Sequence, residues 1–129
     1  MNNAIKNRIS LTKPYVLQLS VIIVNFNVKY FLEQCLSALT IACANIDAEI
    51  IVVDNRSTDG SKAFFEHRFD AVKFIWNNEN VGFSKANNQA LALAQGEHIL
   101  FLNPDTILPE DCLAKCLVFF KQKPGVGAV

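Results

Sequence analysis

"AEIIVVDN", Ala48 to Asn55, decides the fold. Four consecutive branched apolar residues, Ile50 to Val53, run straight into a carboxylate and an amide. There is no alternation, so this is not a strand with one wet face. A short continuous apolar run that stops at polar residues reads as a strand buried on both faces of a parallel sheet. The same pattern recurs in "VLQLSVIIVN" (Val16–Asn25) and "HILFLN" (His98–Asn103), and more weakly in "AVKFIWN" (Ala71–Asn77).

Helical patterns fill the gaps. "KYFLEQCLSALTIAC" sets Phe31, Leu32, Cys35, Leu36, Leu39 and Cys43 at helical spacing. "DGSKAFFEHRF" reads as a short helix with Asp59 or Ser61 as its N-cap. "SKANNQALALAQG" is expected to be helical until Gly96, and "PEDCLAKCLVFFKQKPG" to open with Pro109 in its first turn. The closing "VGAV" is expected to begin a fifth strand. Strand and helix alternating in this way give an α/β fold: an open, mostly parallel, Rossmann-like sheet with helices on both faces.

The bulk composition agrees. The chain has 129 residues, enough for one domain, with 51% hydrophobic and 19% charged residues, a globular balance. Lysine plus arginine equals aspartate plus glutamate at 12 each, which argues against a nucleic-acid partner. The early apolar run Tyr15–Val24 is broken by Gln18 and Ser20 and is too short to span a bilayer. No small-residue cleavage site follows it, so a cytoplasmic protein is expected, with residues 1–15 a loosely ordered lead and 16–129 the folded unit. The four cysteines form no C-x-x-C pair and read as buried reduced thiols, not a zinc site. His67 and His98 have no metal-ligand spacing to a partner.

In open α/β sheets ligands bind beyond the carboxyl ends of the strands. Here those ends carry Asn25-Phe26-Asn27, Asp54-Asn55-Arg56-Ser57, Asn77-Asn78-Glu79-Asn80 and Asn103-Pro104-Asp105. They should share one edge and line one polar crevice. Asp54 can accept hydrogen bonds from a ribose hydroxyl or a pyrimidine N–H. Asn25, Asn27, Asn55 and Asn80 suit a neutral base edge and sugar hydroxyls, or else simply cap turns. Gly82, just before a helix start, with Lys85 nearby, suits a phosphate. Asp105 is a hard oxygen ligand that would need a diphosphate to complete the shell of a magnesium or manganese ion; otherwise it is a turn or helix cap.

"SVIIVNFNVKYFLEQCLSAL", "EIIVVDNRSTDGS", "NVGFSKANNQAL" and "ILFLNPDT" together resemble the inverting family 2 glycosyltransferases of GT-A fold, and within them the rhamnosyltransferase-like branch of bacterial polysaccharide assembly. The resemblance runs from about Leu19 to Val129. It implies a nucleotide-diphosphate sugar donor and a glycan or lipid-linked acceptor. By motif, the Asn25–Asn27 segment would approach the base, Asp54 with Asn55 the base or ribose, and Asn80, Gly82, Phe83 and Asn87 would shape the nucleotide crevice. Asp105 corresponds to the last aspartate of the D-x-D motif that holds a divalent metal, Mn2+ or Mg2+. Asn103 departs from that motif and lowers its negative charge. The family's catalytic base lies well downstream, so the chain is expected to be a truncated, N-terminal nucleotide-sugar-binding portion with no base and no turnover of its own. Many relatives act at the cytoplasmic face of the membrane.

Two other readings compete. A phospho-acceptor receiver domain would need acidic residues after the first strand and a lysine after a fifth; Asn25-Phe26-Asn27 stands at the first place. A non-catalytic module that binds nucleotide weakly, or only self-associates through an unfinished sheet, is the preferred reading of these 129 residues taken alone, with the intact protein an enzyme.

Overall fold

The computed structural model describes residues 15–129; the expected N-terminal lead falls almost entirely outside them. Four strands form one sheet in the order β3-β2-β1-β4: β1 (Leu19–Asn25), β2 (Ala48–Asp54), β3 (Val72–Trp76) and β4 (His98–Leu102). All three pairings are parallel. The helices between and after them are α1 (Lys29–Ala42), α2 (Ser61–Phe65), α3 (Phe83–Leu91) and α4 (Cys112–Gln122).

The branched runs of β1 and β2 are buried because both faces are covered. On one face Val21, Ile23, Ile50 and Val52 pack with Leu32, Cys35, Leu36 and Leu39 of α1, Phe65 of α2 and Leu113 of α4. On the other, Ile22, Val24, Ile51 and Val53 meet Ala86 and Ala90 of α3. Small alanines let that helix lie close to the sheet. Each fully buried aliphatic side chain contributes roughly 1.5–3 kcal/mol relative to exposure. At the β3 edge Phe65, Phe74 and Trp76 stack in series, with ring centroids 5.6 Å and 4.9 Å apart.

The structure corrects the expected boundaries. α3 stops at Leu91, not Gly96. Leu93 and Ala94 donate to carbonyls three residues back, tightening the chain so that Glu97 and His98 can join Leu17 and Gln18. Gly96 serves close approach instead: a Cβ there would collide with the Ser20 backbone nitrogen. α4 begins at Cys112; Pro109 lies before it, and its carbonyl accepts the Cys112 N–H in a turn. The N-cap of α2 is Gly60, neither Asp59 nor Ser61; the Asp59 carboxylate accepts the Ser61 N–H from one residue further out, and the helix ends at Phe65. Val126–Val129 form no strand. Phe31 of α1 is exposed, and Ala42 takes the expected inner place. β4 is an edge strand with one bare face, leaving Ile99 36% and Phe101 53% exposed. Of the four free thiols only Cys35 is buried; the others are half-buried.

Candidate nucleotide site

The parallel register brings the four carboxyl ends to one edge: Asn25 lies opposite Asp54, Asp54 opposite Trp76, and Ile23 opposite Leu102. The strand order reverses between β1 and β4, since the chain leaves β1 toward β2 and β3 and returns to β1's other side. The switch point of the sheet therefore lies between the Asn25–Asn27 turn and the Asn103–Asp105 turn.

Asp54 is 4% exposed, and both its oxygens are engaged. Oδ1 accepts the Ser57 N–H at 2.8 Å, and Oδ2 accepts Asn25 Nδ2 at 2.7 Å. Asn25 points inward and is fully buried. Its place is therefore behind Asp54, not facing solvent as a strand-end amide might suggest. Asn27 adopts a left-handed backbone, φ 57°, which asparagine tolerates. Its Oδ1 accepts the Thr58 N–H at 2.7 Å, and its own N–H donates to Ser57 Oγ at 2.9 Å. The loops after β1 and β2 are thus clamped together.

Asn55 joins the next loop. Its Oδ1 accepts Asn77 Nδ2 and the Val81 N–H at 3.1 and 3.2 Å, and its Nδ2 donates to the Gly82 carbonyl at 3.3 Å. Asn80 Oδ1 accepts the Gly82 N–H at 2.9 Å, turning the chain into α3. Gly82 has φ 84°, a backbone that favours glycine. Phe83 is 61% exposed beside it, and Lys85 is exposed. Asn87 is nearly buried and donates to the Phe83 carbonyl at 3.0 Å. Asn55 and Asn87 hold the frame, while Asn80, Gly82, Phe83 and Lys85 form its outer surface.

Asp105 is exposed on the turn after β4, where the Asn103 carbonyl accepts the Thr106 N–H at 3.2 Å. The Cys35 thiol faces the same carbonyl at 3.8 Å, tying the turn to α1. Burial first, and the Asp105 charge after it, push that thiol up to about 11. It stays protonated at neutral pH. Among the described residues no three His, Cys, Asp or Glu side chains cluster to hold a metal. One exposed carboxylate fits a magnesium or manganese ion only if the ligand's own phosphates and water complete the shell.

The sequence reading missed the clamp's centre. Asp59 Oδ1 accepts the Ser61 N–H at 3.0 Å and Ser61 Oγ–H at 2.6 Å; its Oδ2 accepts the Lys29 N–H at 2.9 Å. Burial opposes ionisation of Asp59, but these bonds outweigh it and hold the carboxyl below its ordinary range. The polar run Ser57 to Ser61 was the available signal. An apolar cavity of about 400 Å³ between β4 and α4 lies elsewhere, at the amino end of the sheet beside Leu19 and His98.

The sequence model of glycosyl transferase family 2 matches residues 20–129. The chain belongs to that family. Among curated relatives of this family, it is 31% identical to the putative teichuronic acid biosynthesis glycosyltransferase TuaG of Bacillus subtilis, over 86% of this chain and 44% of that protein. It is 30% identical to a poly(ribitol-phosphate) beta-glucosyltransferase of Bacillus spizizenii, over 82% of this chain and 18% of the relative. Among solved structures, S. aureus TarS in complex with UDP-GlcNAc matches with a TM-score of 0.72 and 26% identity, over 82% of this chain and 32% of that one. The mannosyltransferase PcManGT of Pyrobaculum calidifontis, in complex with GDP-Man and Mn2+, matches at 0.71 and 26%, over 83% and 33%. The chain thus spans less than half the length of these family members. Their glycosyltransferase fold is the open parallel α/β sheet described above.

Proposed function

We propose that this chain is the donor-binding portion of an inverting glycosyltransferase. Its donor is a nucleoside-diphosphate hexose or rhamnose, and its acceptor a glycan or lipid-linked saccharide of bacterial polysaccharide assembly, at the inner face of the membrane. The observation that carries the reading is the pinned Asp54 carboxylate beside the switch point, with the Asp105 turn on the other side of β1. The nucleotide sugars named with TarS and PcManGT, and the manganese named with the latter, support the donor class.

In this reading Asp54 accepts a hydrogen bond from the base or the ribose. Asn27, with its Nδ2 uncommitted to the clamp, faces the base. Gly82, Phe83 and Lys85 border the crevice, and Asn25, Asn55, Asn80 and Asn87 keep its loops in register. Asp105 would hold the divalent ion. That ion, bound with the diphosphate, neutralises charge on the leaving group. The acceptor hydroxyl attacks the anomeric carbon in one displacement and needs a carboxylate base; no residue of this chain is assigned that role. By the resemblance, an N-P-D variant of the metal motif is common in the rhamnosyltransferase-like branch, and this finer assignment rests on that alone.

Calorimetric titration with UDP, dTDP and GDP, each with and without manganese, tests this. One diphosphate should bind in a metal-dependent manner, and Asp105→Ala should abolish that dependence. Binding of none would refute the reading. The bare face of β4 favours a second property, self-association through Ile99 and Phe101.

A further inference from the structure

Asn25 is a side chain held from one end only. Its Nδ2 carries two protons and has three acceptors in reach: Asp54 Oδ2 at 2.7 Å, Ser61 Oγ at 3.1 Å and Ser57 Oγ at 3.2 Å. Its Oδ1 is buried and has no partner. Nothing on the carbonyl side fixes the amide, so its orientation is set by what accepts its protons.

Ser61 can accept from Asn25 only if its own hydroxyl proton points elsewhere. Asp59 Oδ1, 2.6 Å away, takes that proton. Asp59 is fixed in turn by the Lys29 N–H on Oδ2 and by Lys29 Nζ, which donates to its carbonyl at 2.9 Å. The hydrogen bonds therefore run in one sense, from Asn25 to Ser61 and from Ser61 to Asp59, and the remaining Asn25 proton is aimed at Asp54. A reversed amide would set Asn25 Oδ1 against the Asp54 carboxylate.

We infer that Ser61 and Asp59 are positioning residues for the nucleotide site: they fix the polarity of the Asn25 amide and, through it, the pose of Asp54, without touching ligand. The inference rests on the nucleotide-binding reading above. It assigns function to the second half of "DNRSTDGS", which otherwise looks like a helix start.

The test uses the whole chain and whichever of UDP, dTDP or GDP binds it. Ser61→Ala removes only the bridging oxygen from a buried site; Asp59→Asn replaces an acceptor-only group with one that also donates. Each should weaken binding on the order of tenfold, the effect of one misplaced hydrogen bond. In each, the Asn25 side-chain NH2 resonances should shift and exchange faster with solvent, while the remaining amide spectrum stays folded. Should Ser61→Ala not fold, Asp59→Asn at its half-exposed position carries the test. Affinity retained within twofold by the folded variants overturns the inference alone. So does lost affinity with unchanged Asn25 resonances. If no nucleotide binds the unaltered chain, the functional reading fails and takes this inference with it.

Discussion

Asn25 and Asp54 face each other across the β1–β2 register and share a 2.7 Å hydrogen bond, with Asn25 fully buried and Asp54 only 4% exposed. An amide opposite a carboxylate is the neutral complement this pocket needs. Asn25→Asp keeps the shape but faces one carboxylate with another. Two such groups share one proton, so the folded state binds more protons than the unfolded one near neutral pH. The variant should lose about 3 kcal/mol at pH 7.5 and regain most of it as pH falls toward the ordinary aspartate value of about 4. Thermal melts at pH 7.5 and 4.5 would show this; equal losses at both would contradict it.

Glu49 predicts the opposite sign. It is 7% exposed and accepts from Ser20 Oγ, the Gln95 N–H and Lys73 Nζ at 2.6, 2.6 and 2.7 Å. Burial pushes its carboxyl up, but the bonds from Lys73, Ser20 and Gln95, with the Lys73 charge, prevail and hold it below its ordinary value. A depressed folded pKa contributes stability that is complete above the unfolded value of about 4.3 and lost as pH falls through the folded one. Glu49→Gln should cost about 1–2 kcal/mol at pH 7 and flatten the acid limb of the stability curve. Denaturant melts across pH 3–7 measure both.

The two glycines that matter should separate two kinds of cost. At Gly82 an added methyl meets nothing within 4 Å, but φ is 84°. Gly82→Ala should cost about 1–3 kcal/mol of backbone strain and disturb the turn into α3. At Gly96 the methyl would strike the Ser20 backbone, where the Gly96 N–H also donates to Ser20 Oγ at 2.8 Å. Gly96→Ala should be the more damaging, because β1 cannot retreat. Comparing their denaturation midpoints decides the order.

β4 offers a simple test of association. Ile99 and Phe101 lie on one uncovered face of an edge strand. Sedimentation velocity should find concentration-dependent association of the chain, reduced in the Ile99→Thr, Phe101→Ser double variant. Identical sedimentation of the two would remove the patch as a contact.

Much of this molecule was legible in its sequence, for physical reasons. The unbroken runs at Val21–Val24 and Ile50–Val53 can be satisfied only by a sheet covered on both sides, and it is so covered. "HILFLN" has the same composition but lies at an edge, and composition does not encode strand order. Gly96 looked like a helix stop because a glycine's helix-ending and close-approach uses are indistinguishable until the neighbouring backbone is placed. The shared edge of Asn25, Asp54 and the Asn103–Asp105 turn followed from parallel topology alone. The inward aim of Asn25 did not, because it depends on Ser57 and Ser61, more than thirty residues away.

The central claim is that the carboxyl edge of the sheet binds a metal–nucleotide complex. Paramagnetic broadening of amide resonances by manganese, with and without the nucleotide that binds, tests it most directly. With nucleotide present, broadening should centre on Asn103–Thr106 and extend to the Asn25–Asn27 and Gly82–Phe83 turns, and it should vanish in Asp105→Ala. Broadening centred instead at the amino edge around Glu97 and His98, or unaffected by nucleotide, would contradict the account.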